Sequence, residues 1–446
     1  MTLKGIAETL HAFRAGWSDL FHSRCLVGFP WFWPARPPGM PAMVAARRIA
    51  RRQFGRDRSR LHRAVAKVFT AIVWPPAVIV QLWQIRYYNG SEAVPTRHLP
   101  GAIWAAMRHN VQPGEYYAYA LWEPYRKANI DNYLYTREGP RLFKLLNRQS
   151  RPNPIDDKLA FHALCKTHAL PSPEILAAFS PTGLLLEFDS DQPPKRDLFV
   201  KPRIGVGSTG AERFRWRGAV FESDRGYRLR PEDLDGYLAN RARTENQTLL
   251  VQEALSNHSE FRLGADAYLA TARLVTGLAT DGEVIPIFGH ICIFDFEEPK
   301  RIRARRIALI DLTSGQLTWA PREFVVERRW IRRPDSNSDE IRVLPDWDAV
   351  LRHTKVAHQA CPDFVFVGWD VAFTEHGPVL IEGNVNWCAD DYQRLRGEPL
   401  GSTKFADILS AWLHGLEDLT ISSKIAGEPA RRPDAQKGRS LPGCNR

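Results

Sequence analysis

Between residues 156 and 414, hydrophobic positions follow two periods, about 3.6 residues in some segments and two residues in others. The helical period predicts helices at Asp156–Ala169, Pro231–Arg243, Asp346–Gln359 and Thr403–His414. The shorter period predicts strands at Ile175–Phe179, Leu184–Phe188, Leu198–Lys201, Arg213–Trp216, Leu249–Leu255, Ala272–Leu278, Val284–Phe294, Val365–Thr374 and Val379–Asn384. Because these strands and helices do not alternate strictly, the pattern predicts an α+β fold with helices on one side of the sheets.

The first 150 residues follow neither period for long. Residues 1–63 are rich in Arg, Pro and Trp, which predicts an irregular or helical arm outside any core. In residues 64–150, the aromatic-dense segment Tyr116–Tyr135 is typical of a small core.

Val65–Trp83 is the segment that best matches a membrane span, but Lys67 and the Pro75-Pro76 pair interrupt it. About 20 apolar residues are needed to cross a bilayer. Two interpretations are open: a helix, a break and a second helix packed on the body, or an interfacial anchor beside the Arg-rich stretch Arg47–Arg63. No secretory signal peptide is expected, since no uninterrupted apolar core follows a basic start.

The net charge of +11 is concentrated at the two ends of the chain. Residues 1–63 hold 12 Lys or Arg and 3 Asp or Glu, and residues 427–446 hold 5 and 2, so the body between them is close to neutral. We therefore expect no nucleic-acid partner. The 6 cysteines form no Cys-x-x-Cys pair and none has zinc-ligand spacing to a histidine. This predicts reduced thiols in a cytoplasmic protein, one that can be peripheral to the inner face of the membrane.

A strand lysine followed by a glycine loop is the first feature that indicates chemistry. Lys201 ends a predicted strand, and the next residues include Gly205, Gly207, Ser208, Thr209 and Gly210. A dinucleotide-binding loop needs a helix directly after the glycines, whereas a strand and turn are predicted here. A Walker loop would end in Gly-Lys-Ser/Thr, and a kinase glycine loop would precede the lysine. The open interpretations are a phosphate-binding flap, with backbone N–H groups, hydroxyls and the lysine around an anion, and an ordinary hairpin with an exposed lysine.

An acidic hairpin lies near the C-terminal end. Gly368–Asn386 predicts two apolar strands joined by a turn at residues 375–377. With a three-residue turn, Asp370 lies opposite Glu382, and both project from one face together with Asn384. Such oxygen groups on apolar strands are costly unless a cation joins them, and oxygen ligands favour Mg²⁺ or Mn²⁺. The three residues are the predicted metal ligands, and a solvated face with coincidental acids is the alternative.

Over residues 150–415 these features resemble the ATP-grasp superfamily. The order of motifs is that of the family: a lysine at a helix start, a strand lysine with a glycine loop, a linker strand, an arginine-bearing strand and an Asp…Glu-x-Asn hairpin. In this chain they are Lys158, Lys201 with Gly205–Gly210, Val251–Leu255, Arg273, and Asp370 with Glu382 and Asn384. Thr271–Thr276 and Gly368–Asn384 are most similar to the sugar-transfer-associated ATP-grasp family (alpha-L-glutamate ligase-like). Asp295–Arg306 departs from the glycine- and asparagine-rich segment of that group.

The resemblance implies an α+β ATP-grasp fold, in which two subdomains grip ATP between antiparallel sheets, after a mostly helical N-terminal extension. The organisation expected from it is a basic arm (1–63), a helical and aromatic region (64–150), a first subdomain with the glycine loop (151–256), a second with the metal hairpin (257–420) and a disordered tail (421–446).

The resemblance also implies an activity, that of an ATP- and Mg²⁺- (or Mn²⁺-) dependent carboxylate–amine or thiol ligase. Such an enzyme works through an acylphosphate, here in polysaccharide or cell-envelope glycan synthesis. The implied partners are a small-molecule carboxylate and an amine or glycan acceptor, with membrane contact through residues 1–90. Catalytic roles fall to Arg273 and Lys201. The implied ATP-binding residues are Lys158, Lys201, Gly205, Gly207, Ser208, Thr209, Gly210, Gln252, Glu253, Ala254 and Leu255.

Two other functions are compatible with the same motifs, an ATP-dependent phosphotransferase and a catalytically silent nucleotide-binding module docked on a membrane glycan-synthesis complex. Arg301, Arg303 and Arg305 would share one face of a strand and, with Arg306, suit an acidic acceptor, or belong to a solvated loop or internal ion pairs. His290 is interpreted as a core histidine rather than as a base.

Overall fold

The computed structural model describes residues 42–47, 72–87, 95–136, 138–147, 154–188, 193–205, 209–261, 268–298, 301–320, 323–326, 329–332 and 342–426. Within them the helical segments are 42–47, 72–87, Leu99–His109, Pro113–Ala118, Pro124–Ala128, Gly139–Leu146, Lys158–Thr167, Pro231–Glu245, Trp347–Gln359, Asp390–Arg396 and Lys404–Ala426. Short 3-10 turns lie at Thr96–His98, Ile130–Asn132, Ser259–Phe261 and Leu400–Ser402.

A seven-stranded antiparallel sheet carries the glycine loop. Its strands are β1 (Ile175–Ser180), β2 (Gly183–Leu186), β3 (Leu198–Pro202), β4 (Glu212–Trp216), β5 (Phe221–Ser223), β6 (Arg228–Leu229) and β7 (Leu249–Glu253). They lie in the order β2-β1-β7-β3-β4-β5-β6. Leu234, Leu238 and Ala242 are buried on the helix Pro231–Glu245 and pack against this sheet. The linker strand β7 and the lysine strand β3 are therefore neighbours in the sheet centre.

A second, six-stranded antiparallel sheet carries the arginine strand and the acidic hairpin. Its strands are β8 (Thr271–Leu278), β9 (Val284–Glu298), β10 (Arg301–Ile310), β11 (Leu317–Trp319), β14 (Phe366–Thr374) and β15 (Gly377–Asn384). They lie in the order β11-β10-β9-β8-β14-β15, and β12 (Glu323–Val326) pairs with β13 (Arg329–Arg332) separately. The expected α+β class with antiparallel sheets is confirmed.

The two faces of the second sheet differ, since one is buried in a core and the other is only partly covered by a helix. On one face, apolar residues such as Leu274 and Trp369 form the largest core with Phe161 and Val350 of two covering helices. On the other face, the C-terminal helix covers only one end, where Phe366 contacts Phe405, for example. Because side chains alternate along strands, the remaining part of this second face presents the polar positions of β8, β9, β14 and β15.

The prediction that residues 1–63 stay outside any core is wrong for residues 42–47. This helical segment buries Met43 and Ala46 in the core below the C-terminal helix. The guanidinium of Arg47 donates to both carboxylate oxygens of Glu138, at 2.6 and 2.8 Å. A forked, charge-assisted pair of this kind fixes the segment in place despite its basic surroundings in the sequence.

Two helices differ from the prediction, because one continues through a predicted break and the other is longer. Residues 72–87 are helical throughout, so the chain does not break at Pro75-Pro76, because Trp74, Val78 and Leu82 pack into an aromatic core on either side of the prolines. The helix Lys404–Ala426 passes residue 414 and includes the start of the tail expected to be disordered, since no proline lies between Lys404 and Pro429. Within the described residues, none of the helices combines the length and apolarity that a membrane span requires.

The Arg-rich segment at 301–306 forms the first part of β10. Its pairing with β9 shifts register between Arg301 and Ile302 and again between Ile302 and Ala304, which interrupts the expected alternation. The side chains of 301–305 lie outside the described residues. Arg306 is buried, with its guanidinium 6.0 Å from the ring centre of Trp319. Arg306 therefore lies inside the protein and does not face an acceptor.

Candidate active site

Four polar residues form a row across the second sheet, one on each of four adjacent strands. Glu382 on β15 pairs with Asp370 on β14, which pairs with Arg273 on β8, which in turn pairs with His290 on β9. Directly opposed residues of antiparallel strands share a face, with side chains about 5 Å apart at their Cβ atoms. The sheet therefore aligns two acids, a guanidinium and an imidazole along one line.

The predicted pairing of Asp370 with Glu382 is found, although the turn differs from the prediction. Thr374 pairs with Gly377, so the turn has one residue fewer than expected. A register shift follows next to Asp370, where Leu380 pairs with Val371 and Ile381 is the extra residue. This bulge returns the strands to the predicted register and turns both carboxylates to the same face.

The predicted metal ligands lie together with Arg273. The Arg273 guanidinium donates to both carboxylate oxygens of Asp370, at 2.7 and 2.6 Å. The side-chain amide of Asn384 donates to Asp370 at 3.2 Å. Burial opposes the charge of Arg273, but Asp370 raises its pKa above the ordinary value. For Glu382, burial and then the nearby Asp370 raise the pKa, and the cations around it lower the pKa less strongly.

Lys158 joins the acidic hairpin to the glycine loop. Its ammonium donates to the carbonyl oxygen of Gly205 at 2.8 Å and lies 3.8 Å from a carboxylate oxygen of Glu382. Asp157 caps the helix by accepting from two backbone amides and holds the Arg203 guanidinium in a forked pair. Burial opposes ionisation of Asp157, but the Arg203 hydrogen bond lowers its pKa overall. The cap thereby fixes Lys158, the first helical residue, next to the end of β3.

Lys201 is buried at the same place. Its exposure is 7%, and within the described residues no ion-pair partner contacts its ammonium. Burial lowers the pKa of Lys201 to about 8, with Glu382 and Asp370 acting against burial and Lys158 adding to it. The nearby carboxylates offset only part of the effect of burial on this ammonium. A bound anion would stabilise its charged form, so the position suits an anion.

The glycine loop is described at its two ends, while Gly207 and Ser208 lie outside the described residues. Gly205 and Thr209 are exposed. Gly210 has φ +79°, and its carbonyl accepts from the buried guanidinium of Arg241. Arg241 in turn contacts the buried carboxylate of Glu212 at 2.9 Å, which anchors the loop's base. Strand β4 follows the loop, so the reason for setting aside a dinucleotide-binding loop is confirmed.

The predicted linker Gln252–Leu255 leaves the sheet at the end of β7. The side chain of Gln252 is buried and donates to the Pro173 carbonyl, and Glu253 forms an ion pair with Arg196 at 2.9 Å. The Ala254 amide donates to the carbonyl of residue 197 on the β3 side. Because successive amides of a strand alternate, that of Glu253, the last residue of β7, points away from β3.

Sequence reasoning missed a cluster beside Arg273. His290 and Cys292 on β9 and Asp391 on the helix Asp390–Arg396 have side-chain donor atoms within 4.8 Å of one another. His290 is thus on the polar face and not in the main core, and the alternation His-x-Cys was the available signal. Asp391 could not be found, since it is distant in sequence. The guanidinium of Arg273 beside this cluster disfavours a second cation there.

The hairpin residues fit a divalent cation. Asp370 and Glu382 offer carboxylate oxygens, and Asp370 Oδ1, which accepts from Arg273, keeps another lone pair, whereas Oδ2 accepts from both Arg273 and Asn384. The Asn384 amide donates through nitrogen, which leaves its oxygen as a ligand. Burial and the neighbouring Asp370 raise the pKa of Glu382, and a cation bound at this carboxylate would favour its charged form. All-oxygen ligands of this kind favour Mg²⁺ or Mn²⁺.

Similar solved structures share low identity with this chain. An L-amino acid ligase from Bacillus licheniformis is 11% identical with TM-score 0.35, covering 66% of this chain and 60% of that one. The VanG D-Ala:D-Ser ligase from Enterococcus faecalis is 13% identical with TM-score 0.33, covering 58% and 61%. A D-alanine–D-alanine ligase from Bacillus anthracis is 10% identical with TM-score 0.33, covering 60% and 69%. The chain thus spans about three fifths of the length of the first two.

A search of curated proteins gives no match. Residues 138–403 match the model of a family described as sugar-transfer associated ATP-grasp. This range is more than half of the chain, and it includes Arg273, His290, Asp370 and Glu382 of the polar row. The fold is accordingly the ATP-grasp fold, and the chain belongs to the sugar-transfer associated ATP-grasp family.

Proposed function

We propose that the protein is an ATP- and Mg²⁺-dependent ligase that joins a carboxylate to an amine or thiol, in the synthesis of a cell-envelope or extracellular polysaccharide. The observation that carries the proposal is the position of Lys158, which contacts the glycine loop on one side and the acidic hairpin on the other. A triphosphate needs both surfaces at once: cations and amides for its oxygens and carboxylates for its metal ion.

In this proposal the two lysines hold the polyphosphate of ATP. The ammonium groups of Lys158 and Lys201 neutralise oxygens of the α- and β-phosphates, and these oxygens would raise the pKa of Lys201 back toward its ordinary value. Backbone amides of the linker Gln252–Leu255 would bind adenine. The glycine loop closes over the phosphates and excludes water, which would otherwise hydrolyse an activated intermediate.

Asp370, Glu382 and Asn384 would hold Mg²⁺, which would supply positive charge to the triphosphate. Arg273 is held at the centre of the row by its forked pair with Asp370. It is placed to stabilise negative charge on the group in transfer. Both carboxylates and the guanidinium come from rigid strands, so their positions are set before the substrates arrive.

The proposed reaction has two steps. A substrate carboxylate oxygen attacks the γ-phosphorus, the bond from that phosphorus to the β–γ bridging oxygen breaks, and ADP leaves with the bond's electrons. An amine then attacks the carbonyl carbon of the acylphosphate, inorganic phosphate leaves, and the amine loses a proton. Neither step requires a nucleophilic side chain. The family's association with sugar transfer supports a glycan as the amine-bearing or carboxylate-bearing partner.

The test is an ADP-release screen of the full chain with Mg²⁺ over amino acids, uronic acids and amino sugars, followed by mass spectrometry of the products. Coupling with the loss of one water is the expected result. A product that gains phosphate would replace the ligase with a phosphotransferase. Absence of ADP release with every pair, in protein shown by calorimetry to bind ATP, would contradict both and favour a silent nucleotide-binding module.

A matched pair of variants connects any activity to the site. Glu382→Gln removes a carboxylate from the hairpin, and Glu283→Gln removes an exposed carboxylate from the turn between β8 and β9. We expect ADP release to fall by about two to three orders of magnitude in the first and to stay unchanged in the second. Equal activity of both variants would refute the metal assignment.

A further inference from the structure

Helix 72–87 has apolar side chains on its outward as well as its inward face, and its polar residues are Gln81, Gln84 and Arg86. Trp74, Val78 and Leu82 face inward and are buried in an aromatic core with Tyr116 and other tyrosines. This packing explains one face of the helix. A surface helix normally carries charged and polar residues on the other face.

The outward face of this helix is apolar instead. Ile72, Ile79, Trp83 and Tyr87 are exposed by 67%, 64%, 53% and 65%. Their spacing of seven, four and four residues places them on one stripe, about 22 Å long at 1.5 Å per residue. The rings of Trp83 and Tyr87 stack at 5.4 Å between centroids. A continuous exposed patch of this kind marks an interaction surface.

The positive charge of the sequence before this helix indicates an anionic partner. Residues 48–67 contain eight Arg or Lys and one acid, Asp57. A cluster of basic residues beside an apolar helical stripe is the combination that binds anionic lipid headgroups. Trp and Tyr on the stripe are the side chains enriched where a bilayer meets water, because each has an apolar body and a polar tip.

We propose that the stripe Ile72–Tyr87 lies in the headgroup region of an anionic bilayer, with the basic residues of 48–67 attracted to its surface. The helix then lies along the membrane, with its inner face still packed on the body of the protein. This proposal does not depend on the ligase activity, and its test measures no turnover.

The test is flotation of the full chain with vesicles of phosphatidylcholine alone or mixed with phosphatidylglycerol. We expect binding to the mixed vesicles, at least about tenfold stronger than to phosphatidylcholine and weakened by salt. The double variant Ile79→Ser with Trp83→Ser should lose binding by about a hundredfold, because two apolar anchors are removed. Both residues are exposed, so the fold tolerates the changes.

Two control variants test the position of the surface. Leu184→Ser with Leu185→Ser alters another exposed apolar pair, on β2, and it should leave binding unchanged. Arg51→Gln with Arg52→Gln should weaken binding to anionic vesicles, whereas Arg431→Gln with Arg432→Gln in the basic tail should not. Equal losses in the control and test pairs would overturn the assignment.

Two further outcomes would also overturn the proposal. One is equal binding of the wild-type protein to both kinds of vesicle, or to neither. The other is a wild-type dimer in solution that the Ile79/Trp83 variant converts to a monomer, since a second copy of the chain would then cover the stripe.

Discussion

Lys201 offers the sharpest test of the proposed triphosphate site, because its charge state is expected to change when ATP binds. Burial lowers the pKa of Lys201 from its ordinary value of 10.5 to about 8. This shift corresponds to roughly 3 kcal/mol against the charged form in the ligand-free protein. The cost is fully present below pH 8 and disappears as the pH rises to 10.5, where the unfolded chain also loses the proton.

Phosphate oxygens beside the ammonium reverse the effect. If ATP returns the pKa to near its ordinary value, Lys201 takes up a proton on binding. At pH 8.5 about three quarters of the ligand-free protein lacks this proton, so the expected uptake is about 0.7 to 0.8 proton per ATP. At pH 6.5 the lysine is already charged, and its contribution is close to zero. At pH 8.5 the nucleotide's own terminal phosphate is fully ionised and adds little.

The assay is calorimetric titration with Mg-ATP at pH 8.5 in two buffers that differ in their ionisation enthalpy, which yields the number of protons exchanged. Lys201→Met should abolish the uptake and weaken ATP binding. Lys195→Met, an exposed lysine on the loop before β3, should change neither. Uptake that persists in Lys201→Met, or its absence in the wild-type protein, would refute the placement of a phosphate beside this ammonium.

Three other changes have defined outcomes. Asp370→Asn should reduce ADP release by at least about a hundredfold while circular dichroism stays native, and undiminished release would remove this residue from the metal site. Gly210→Ala forces a side chain at φ +79° and within 2.9 Å of Pro202, so the glycine loop should close less well and kcat/KM should fall about tenfold. Gly226→Ala, also at positive φ but in open space, is the control that should retain activity. For His358, burial lowers the pKa to about 4, so its contribution to stability is present above pH 6.5 and is lost as the pH falls toward 4. Urea unfolding at pH 7 and pH 4.5 should therefore show a loss of roughly 2–3 kcal/mol that His358→Gln lacks, and an equal loss in both proteins would contradict this.

Local patterns alone determined much of the ATP-grasp portion. Alternation in the hairpin predicted that Asp370 and Glu382 pair on one face, but the shorter turn keeps this pairing only because Ile381 forms a bulge. The helix start at Lys158 was visible for a similar reason, since Asp157 is a capping residue next to it in sequence. The order of motifs along the chain was sufficient to indicate the family, which the family match then established.

Only the tertiary structure decided which of these elements meet. The contact of Lys158 with Gly205 and Glu382 joins segments separated by 47 and 224 residues, and no local propensity records such a contact. The same holds for Asp391 beside His290, and for residues 42–47, where packing and one ion pair outweigh a composition typical of an exposed arm. The physical reason is that periodicity reports which side of an element is apolar, whereas the choice of the surface that covers it depends on packing between distant parts of the chain.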